Sequence, residues 1–461
     1  MFNSFRKYIK RTLSTIAAVS IIAVTTFSVT ANVSAADSDS STAPKAAWPD
    51  APSITCESAI LIDADTGSIL YEKDSHRKAY PASTTKILTG LLTIENCNLN
   101  DTMTFSTKAA NSVNPYEDAN LSMKAGEQIT VEQALYGLLL YSANEIAYGL
   151  AEQVAGSADA FIDMMNNKAK ELGAINTHFA NPSGLYNPNH YTTAYDMAMI
   201  ARGCYNNASF VNIDSTSSSY TIPATNMSAQ RTIKHRHKML KGREFYYEYC
   251  KGGKTGFTDE SLMTLVTFAE KDGMRLICVV FRSPDDSTRY IDTRALFDWG
   301  FGNFKKSTTS NSQISSLFST DNYYSSDVFG KSKLGFNLNA SFITIPANGS
   351  TSDVTMDINT DYDVSNSNDK LTAKLNYKYG DNVVGTTTLT ISSGNAVKDS
   401  QLPYLSNEIK VTELTPKKCL KVNIWIIAGI VAVILIIITI INNRKLSNNR
   451  KHHYSKRNLR F

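Results

Sequence analysis

Two short β-type runs, a long helical stretch and a second pair of β-type runs succeed one another between Ser58 and Trp299. Strands first, helices in the middle and strands last describe one α+β domain, a sheet covered by helices. The first runs, Ser58 to Ile62 and Ser68 to Tyr71, flank Asp63-Ala64-Asp65-Thr66-Gly67, whose acid and Gly residues turn a hairpin. Ile87, Leu88, Leu91 and Leu92 then recur at helical spacing and predict a helix from Ser83 through Ile94. Thr130 and Gln133 form a capping box ahead of the apolar face Leu135, Leu138, Leu139, Ile146 and Leu150. Further helices are expected over Asp159 to Leu172, stopped by Gly173, and over Ala194 to Arg202. Ser261 to Phe268 and Met274 to Phe281 form a second hairpin around a turn that carries Gly273, and Ile291 to Trp299 closes the domain as a helix.

Beyond Asn303 the text changes. From Asp327 to Thr412, short Thr, Val, Ile and Tyr runs are broken by Asn, Asp and Gly, and almost no residue suits chemistry. A small β-sandwich is expected there. The chain then divides into a signal peptide over 1–35, a disordered lead-in over 36–52, a catalytic domain over 53–303 and a β-rich domain over 304–415. A transmembrane helix over 424–441 and a basic tail over 442–461 follow. The leader reading rests on Arg6, Lys7, Lys10 and Arg11, the apolar stretch Leu13 to Val29 and the small residues Val33-Ser34-Ala35-Ala36. The span reading rests on Ile424 to Ile441, which at helical rise covers about 27 Å, close to a bilayer core. Basic residues after it place the tail in the cytoplasm. The expectation is a single-pass membrane protein, anchored in the lipid bilayer by its C-terminal helix, with its catalytic domain outside.

The formal net charge of +4 is carried by the two ends. Without them the body is net acidic, which excludes a nucleic-acid-binding body. The one basic cluster inside it, Lys234-His235-Arg236-His237-Lys238, reads as a solvated loop, with contact to an anionic polymer or lipid as the alternative. Six cysteines are scattered without a CxxC, neither a disulfide scaffold nor a zinc pattern, and most read as buried small hydrophobes. Neither a metal nor an organic cofactor is implied.

Three short elements carry the chemistry. In Ser83-Thr84-Thr85-Lys86 a hydroxyl and an amine stand three residues apart on one helical face, at a helix start with unpaired N–H groups. A serine is a weak nucleophile until a base takes its proton, and a lysine is a base only where burial or a neighbouring cation leaves it uncharged. Taken alone, the spacing equally fits a surface helix cap. Ser142-Ala143-Asn144 follows an apolar face. Ser142 would relay a proton to a leaving group and Asn144 would orient Lys86, although a Ser/Asn cap has the same text. In Gly252-Gly253-Lys254-Thr255-Gly256 the glycines permit close approach, and Lys254 and Thr255 would face a carboxylate or carbonyl. A phosphate loop fails here, because the required upstream glycine is missing and a strand follows.

In this order the three elements resemble the signature of penicillin-binding proteins and class A β-lactamases. Further stretches narrow the resemblance. Asp65-Thr66-Gly67, Pro81-Ala82-Ser83-Thr84-Thr85-Lys86, Asn181-Pro182-Ser183-Gly184-Leu185, Pro188-Asn189-His190-Tyr191-Thr192-Thr193 and Asp272-Gly273-Met274-Arg275-Leu276-Ile277 look like the low-molecular-weight D-alanyl-D-alanine carboxypeptidases, peptidase family S11. The resemblance implies a β-lactamase/transpeptidase-like fold. It assigns Ser83 as nucleophile, Lys86 as general base, Ser142 and Asn144 as the middle element, and Lys254, Thr255 and Gly256 as the third. The backbone N–H groups of Ser83 and Phe257 would form the oxyanion hole, and Arg289 would stand near the substrate carboxylate or else face Asp285 or Asp286. Peptidoglycan stem peptides and β-lactams are the implied ligands.

The chain departs from the family in having Ala143 for the usual Gly, Ser261-Leu262 for the usual Ala-Gly, and an apolar span for the usual amphipathic end helix. Endopeptidase action on crosslinks, β-lactamase action and a catalytically silent wall-binding scaffold stay open as alternatives.

Overall fold

The structure is a computed structural model that describes residues 47–309, 334–338, 341–358, 365–367 and 370–393. Side-chain alternation with period two builds its central sheet. The strands are β1 (Ser58–Asp63), β2 (Ile69–Lys73), β3 (Cys250–Thr258), β4 (Leu262–Lys271) and β5 (Met274–Ser283). They lie antiparallel in the order β2-β1-β5-β4-β3. Every residue of β1 is buried because both faces of the sheet are covered. Ile60 and Ile62 of β1 join Ile277, Val279 and Phe281 of β5 in one core. Ala59 and Leu61 join Leu276, Cys278 and Val280 in the core on the other face.

The first core lies under α1 (Lys86–Asn96), α2 (Val131–Tyr136), α3 (Asn144–Ala155), α4 (Ala158–Glu171), α5 (Ala194–Tyr205) and α6 (Ala208–Asp214). The second lies under α7 (Asp286–Asn303), which contributes Tyr290, Leu296 and Phe297. Helix starts follow capping chemistry. The Thr130–Gln133 box is formed, and Ser157, Thr193 and Asp285 each accept first-turn N–H groups.

Both expected hairpins and the covered sheet are present, so the α+β reading of the first domain holds. One element differs. The segment holding Lys254 lies within a strand, β3, at the sheet's edge, and is not a turn ahead of the sheet. The text concealed this, because three glycines in five residues suppress the alternation that marks a strand.

The C-terminal expectation is corrected in part. β6 (Phe304–Thr308) follows α7 without a linker and pairs antiparallel with β8 (Phe342–Pro346). β7 (Leu334–Leu338), β9 (Val354–Ile358), β10 (Ser365–Ser367), β11 (Lys370–Tyr379) and β12 (Asn382–Ser393) form one sheet in the order β7-β12-β11-β9, with β10 also on β11. Among the described residues this is a ribbon and a single sheet, not a closed sandwich. The reason is visible in β8. Ile343 and Ile345 pack into a small core with Tyr377, Tyr379 and Val384. Thr344, on the opposite face, is 3.0 Å from both Asp63 and Thr66 of the first hairpin. One face of the ribbon is therefore committed to the catalytic sheet.

The membrane expectation is also corrected. No helix among the described residues is long and apolar enough to cross a bilayer. The longest of them, α7, carries Asp286, Arg289, Asp292, Arg294 and Asp298. The leader at 1–35, the span at 424–441 and the tail at 442–461 lie outside the described residues. The reading of a signal peptide, a single-pass bilayer anchor and a cytoplasmic tail thus finds no support among the described residues. The five described cysteines are unpaired, and Cys56, Cys204 and Cys278 are buried, as expected of small hydrophobes; Cys419 lies outside the described residues.

Leu61 is fully buried between the sheet and α7, next to Gly300. Leu61→Ala is expected to cost about 2–5 kcal/mol of unfolding free energy, because the rigid sheet cannot collapse into the void. Urea unfolding followed by circular dichroism measures it.

Candidate active site

Ser83 belongs to a 3-10 turn, Ala82–Thr85, that leads into α1. The tighter turn matters, because residues three apart eclipse one another in a 3-10 helix. Lys86 is thereby stacked on Ser83, with Nζ 2.9 Å from Oγ. The turn is held from below. His190 Nε2 lies 2.8 Å from Thr85 Oγ1, while His190 Nδ1 accepts from the Ala180 N–H. Thr264 Oγ1 and Thr84 Oγ1 both donate to the Pro81 carbonyl. Ala82 has φ of +49°, a conformation disfavoured for a residue with a Cβ. A side chain on Gly184 would fall 1.9 Å from the Ala82 carbonyl oxygen, so only glycine lets that backbone pass.

Lys86 is fully buried. Besides Ser83, its Nζ donates to Asn144 Oδ1 at 2.6 Å and to the Ser183 carbonyl at 2.5 Å. Asn181 shapes that carbonyl's turn, its Oδ1 accepting from the N–H groups of Ser183 and Gly184. Burial pushes the Lys86 amine well below the usual lysine value, and the nearby Lys254 and Arg236 charges push it further. A neutral amine beside a serine hydroxyl is a base in position.

A second serine–lysine pair faces the first. α2 ends in a π turn, Gly137–Tyr141, and Ser142 follows in the left-handed region at φ +68°. The helical path is broken here between α2 and α3, and a π turn at such a place is common near functional sites. Lys254 reaches from β3 and donates to Ser142 Oγ at 3.0 Å and to the Thr255 carbonyl at 2.8 Å. Burial, then Arg236, lowers Lys254 to about 7. Gly256 brings β3 against the nucleophile turn. A Cβ there would lie 2.3 Å from Thr264 Oγ1 and 2.9 Å from the Ser83 nitrogen.

These groups open into a cleft of about 870 Å³ lined by Ser83, Ser142, Asn144, Thr255, Phe257 and Arg289 among others. Phe257 is half exposed at its rim. Arg289 is buried rather than a surface arginine. It donates to the carbonyls of Gly256 (3.1 Å) and Thr264 (3.0 Å) and pairs with Asp286.

Sequence reasoning missed Arg236, which lines the same cleft. The basic cluster is no solvated loop. His235 and His237 are buried, and Lys238 pairs with Glu244 and Asp286. The Arg236 N–H donates to the Leu140 carbonyl and its guanidinium lies 4.6 Å from the Tyr141 ring centre. The alternation of basic and imidazole residues was the signal available, since period two places alternate residues on opposite faces.

A hydroxyl with a dry amine beside it, next to the edge of an antiparallel sheet, defines a serine–lysine acyl-transfer enzyme. The sequence model of the D-alanyl-D-alanine carboxypeptidases, peptidase family S11, matches residues 45–285, and the chain belongs to that family. It is 34% identical over 254 residues to D-alanyl-D-alanine carboxypeptidase DacF of Bacillus subtilis, covering 54% of this chain and 63% of that relative, less than two thirds of its length. It is 34% identical over 272 residues to carboxypeptidase DacB2 of Mycobacterium tuberculosis, covering 58% of this chain and 88% of the relative. Among solved structures, the Streptomyces K15 DD-transpeptidase aligns with a TM-score of 0.51 at 28% identity, over 55% of this chain and 100% of that one. Penicillin-binding protein 5 of Haemophilus influenzae aligns with a TM-score of 0.58 over 75% of this chain and 98% of that one; at 24% identity it bears on the fold alone.

Gly256→Ala is expected to push β3 off the Ser83 turn. A displacement near 1 Å lowers acylation by a fluorescent penicillin about 100-fold, with the circular dichroism spectrum unchanged.

Proposed function

We propose that the chain is a serine-type D-Ala-D-Ala carboxypeptidase that removes the terminal D-alanine from peptidoglycan pentapeptide stems. The observation that carries this is the fully buried Lys86 amine 2.9 Å from Ser83 Oγ. In the acylation step the neutral Lys86 amine takes the Ser83 proton while Oγ bonds to the carbonyl carbon of the penultimate D-Ala. Negative charge develops on the carbonyl oxygen. The N–H groups of Ser83 and Phe257 are the donors proposed to receive it, and losing one such donor costs about 3 kcal/mol in comparable enzymes. The C–N bond then breaks, and the leaving amine of D-Ala takes a proton passed through Ser142, which Lys254 contacts. Water hydrolyses the Ser83 ester in the second step. Asn144 keeps Lys86 aimed at Ser83 throughout.

Lys254, with Thr255 beside it, supplies the cation for the substrate's free carboxylate, which favours a carboxypeptidase over an internal endopeptidase. Arg289 acts from beneath, bracing the carbonyls of Gly256 and Thr264. β-Lactams, which also carry a carboxylate, acylate the same serine.

Ser83→Ala is expected to abolish both D-Ala release from a D-Ala-D-Ala peptide and covalent penicillin labelling, read by product assay and by mass of the intact protein. Retained labelling would overturn the assignment of the nucleophile. A wild-type protein that binds muropeptides yet releases no D-Ala would favour the silent scaffold.

The two lysines predict opposite pH limbs. Lys86 works uncharged, and burial, then the Lys254 charge, lowers its value toward that form. Lys254 works charged, and its charge is lost as pH rises through about 7. The kcat/KM profile, which reports the free enzyme, is expected to fall on the alkaline side with an inflection near there. Lys254→Arg, which stays charged, removes that inflection.

A further inference from the structure

Behind β3, away from the cleft, a carboxylate and an imidazole face each other in the dark of the core. Asp214, at the end of α6, is fully buried and His235 almost so. Asp214 Oδ2 accepts the Gly253 N–H at 2.6 Å, one residue before Lys254. Asp214 Oδ1 stands 3.4 Å from His235 Nε2 without the geometry of a hydrogen bond, and both atoms are buried with no hydrogen-bond partner. The tautomer follows from the other ring nitrogen. His235 Nδ1 accepts the His237 N–H at 3.0 Å, so in the neutral ring Nε2 carries the proton, on the nitrogen nearest Asp214 Oδ1. Asp214 thus binds the strand through Oδ2 and leaves Oδ1 beside the imidazole.

The backbone is cut to fit this carboxylate. A Cβ on Gly252 would lie 2.5 Å from Asp214 Oδ2 and 2.6 Å from the Asp214 carbonyl oxygen. Gly252 is therefore explained by how closely Asp214 approaches the strand, whereas a Cβ on Gly253 would fall 2.0 Å from the Val266 carbonyl oxygen of β4. His235 extends the linkage to the cleft, because it precedes Arg236, whose N–H is held by Leu140 two residues before Ser142.

We propose that Asp214 and His235 form a buried positioning dyad for the substrate-carboxylate lysine. Asp214 fixes the strand that aims Lys254 and supplies the anion that balances its ammonium, and His235 holds Asp214 in place. The proposal rests on the reading of Lys254 given above. The charged and titratable groups bearing on Lys254 are Arg236, Arg289, Lys86 and His237 on one side and Asp214 on the other. Asp286 is already engaged by Arg289 and Lys238. Cys204 and Cys250 also feel Asp214, and burial first and Asp214 after it keep both thiols protonated.

The test compares the full chain with Asp214→Asn and His235→Gln, using kcat/KM for a D-Ala-D-Ala peptide from pH 5.5 to 10, with melting temperatures alongside. Without the Asp214 anion, the alkaline inflection is expected to move down by about one pH unit, with KM rising more than kcat falls. His235→Gln leaves the anion but frees it to turn, and is expected to raise KM several-fold with a smaller shift in the same direction. If Asp214→Asn does not fold, His235→Gln decides by the same two readings. A folded variant with the wild-type inflection and KM overturns the dyad. A wild-type chain that penicillin does not label at Ser83 instead overturns the underlying reading, so the two failures are distinct.

Discussion

The structure depends on keeping one amine dry. An ammonium buried without compensation costs several kcal/mol, and a lysine in that position shifts toward its neutral form. Lys86 is surrounded by groups that make this tolerable, namely the Ser83 hydroxyl, the Asn144 amide oxygen and the Ser183 carbonyl. Each comes from a different part of the chain. Lys254 and Arg236 add positive charge nearby and push in the same direction as burial. The site is thus a packing problem before it is a chemical one.

That view gives scaffold residues a purpose. Asn181 and His190 do not line the cleft, and Gly184 lines it with backbone alone. Asn181 shapes the turn that offers a carbonyl to Lys86, Gly184 admits the strained Ala82 backbone, and His190 supports Thr85. His190 is lowered by burial to about 3, so it stays neutral and holds one tautomer across any working pH. These residues fall in the stretches that carried the family resemblance, Asn181 to Leu185 and Pro188 to Thr193.

Local chemistry was legible in the text, and long-range chemistry was not. Ser83 and Lys86 are three residues apart, the Thr130–Gln133 box caps α2, and both hairpins announce themselves by their turns. The text does not say that residues 83–85 form a 3-10 turn, since that follows from how Pro81 and Thr85 are held by distant partners. Nor does it say that the glycine-rich element is an edge strand, because glycine erases period two. Asp214 and His235 read as unremarkable until the fold brings them together. The Lys234–Lys238 cluster was misread because charge was counted without asking which face each residue takes. The C-terminal strands were recognised as strands, but the ribbon's commitment to Asp63 through Thr344 depends on a contact spanning 281 residues.

The unpaired cysteines have a consequence of their own. Burial lifts the Cys204 thiol well above its usual value and lifts Cys250 and Cys278 to about 12. Thiolate is the reactive form, so at neutral pH these sulfurs offer almost nothing to an oxidant or an alkylating reagent. In the folded protein these three positions are therefore the same in reducing and oxidising surroundings.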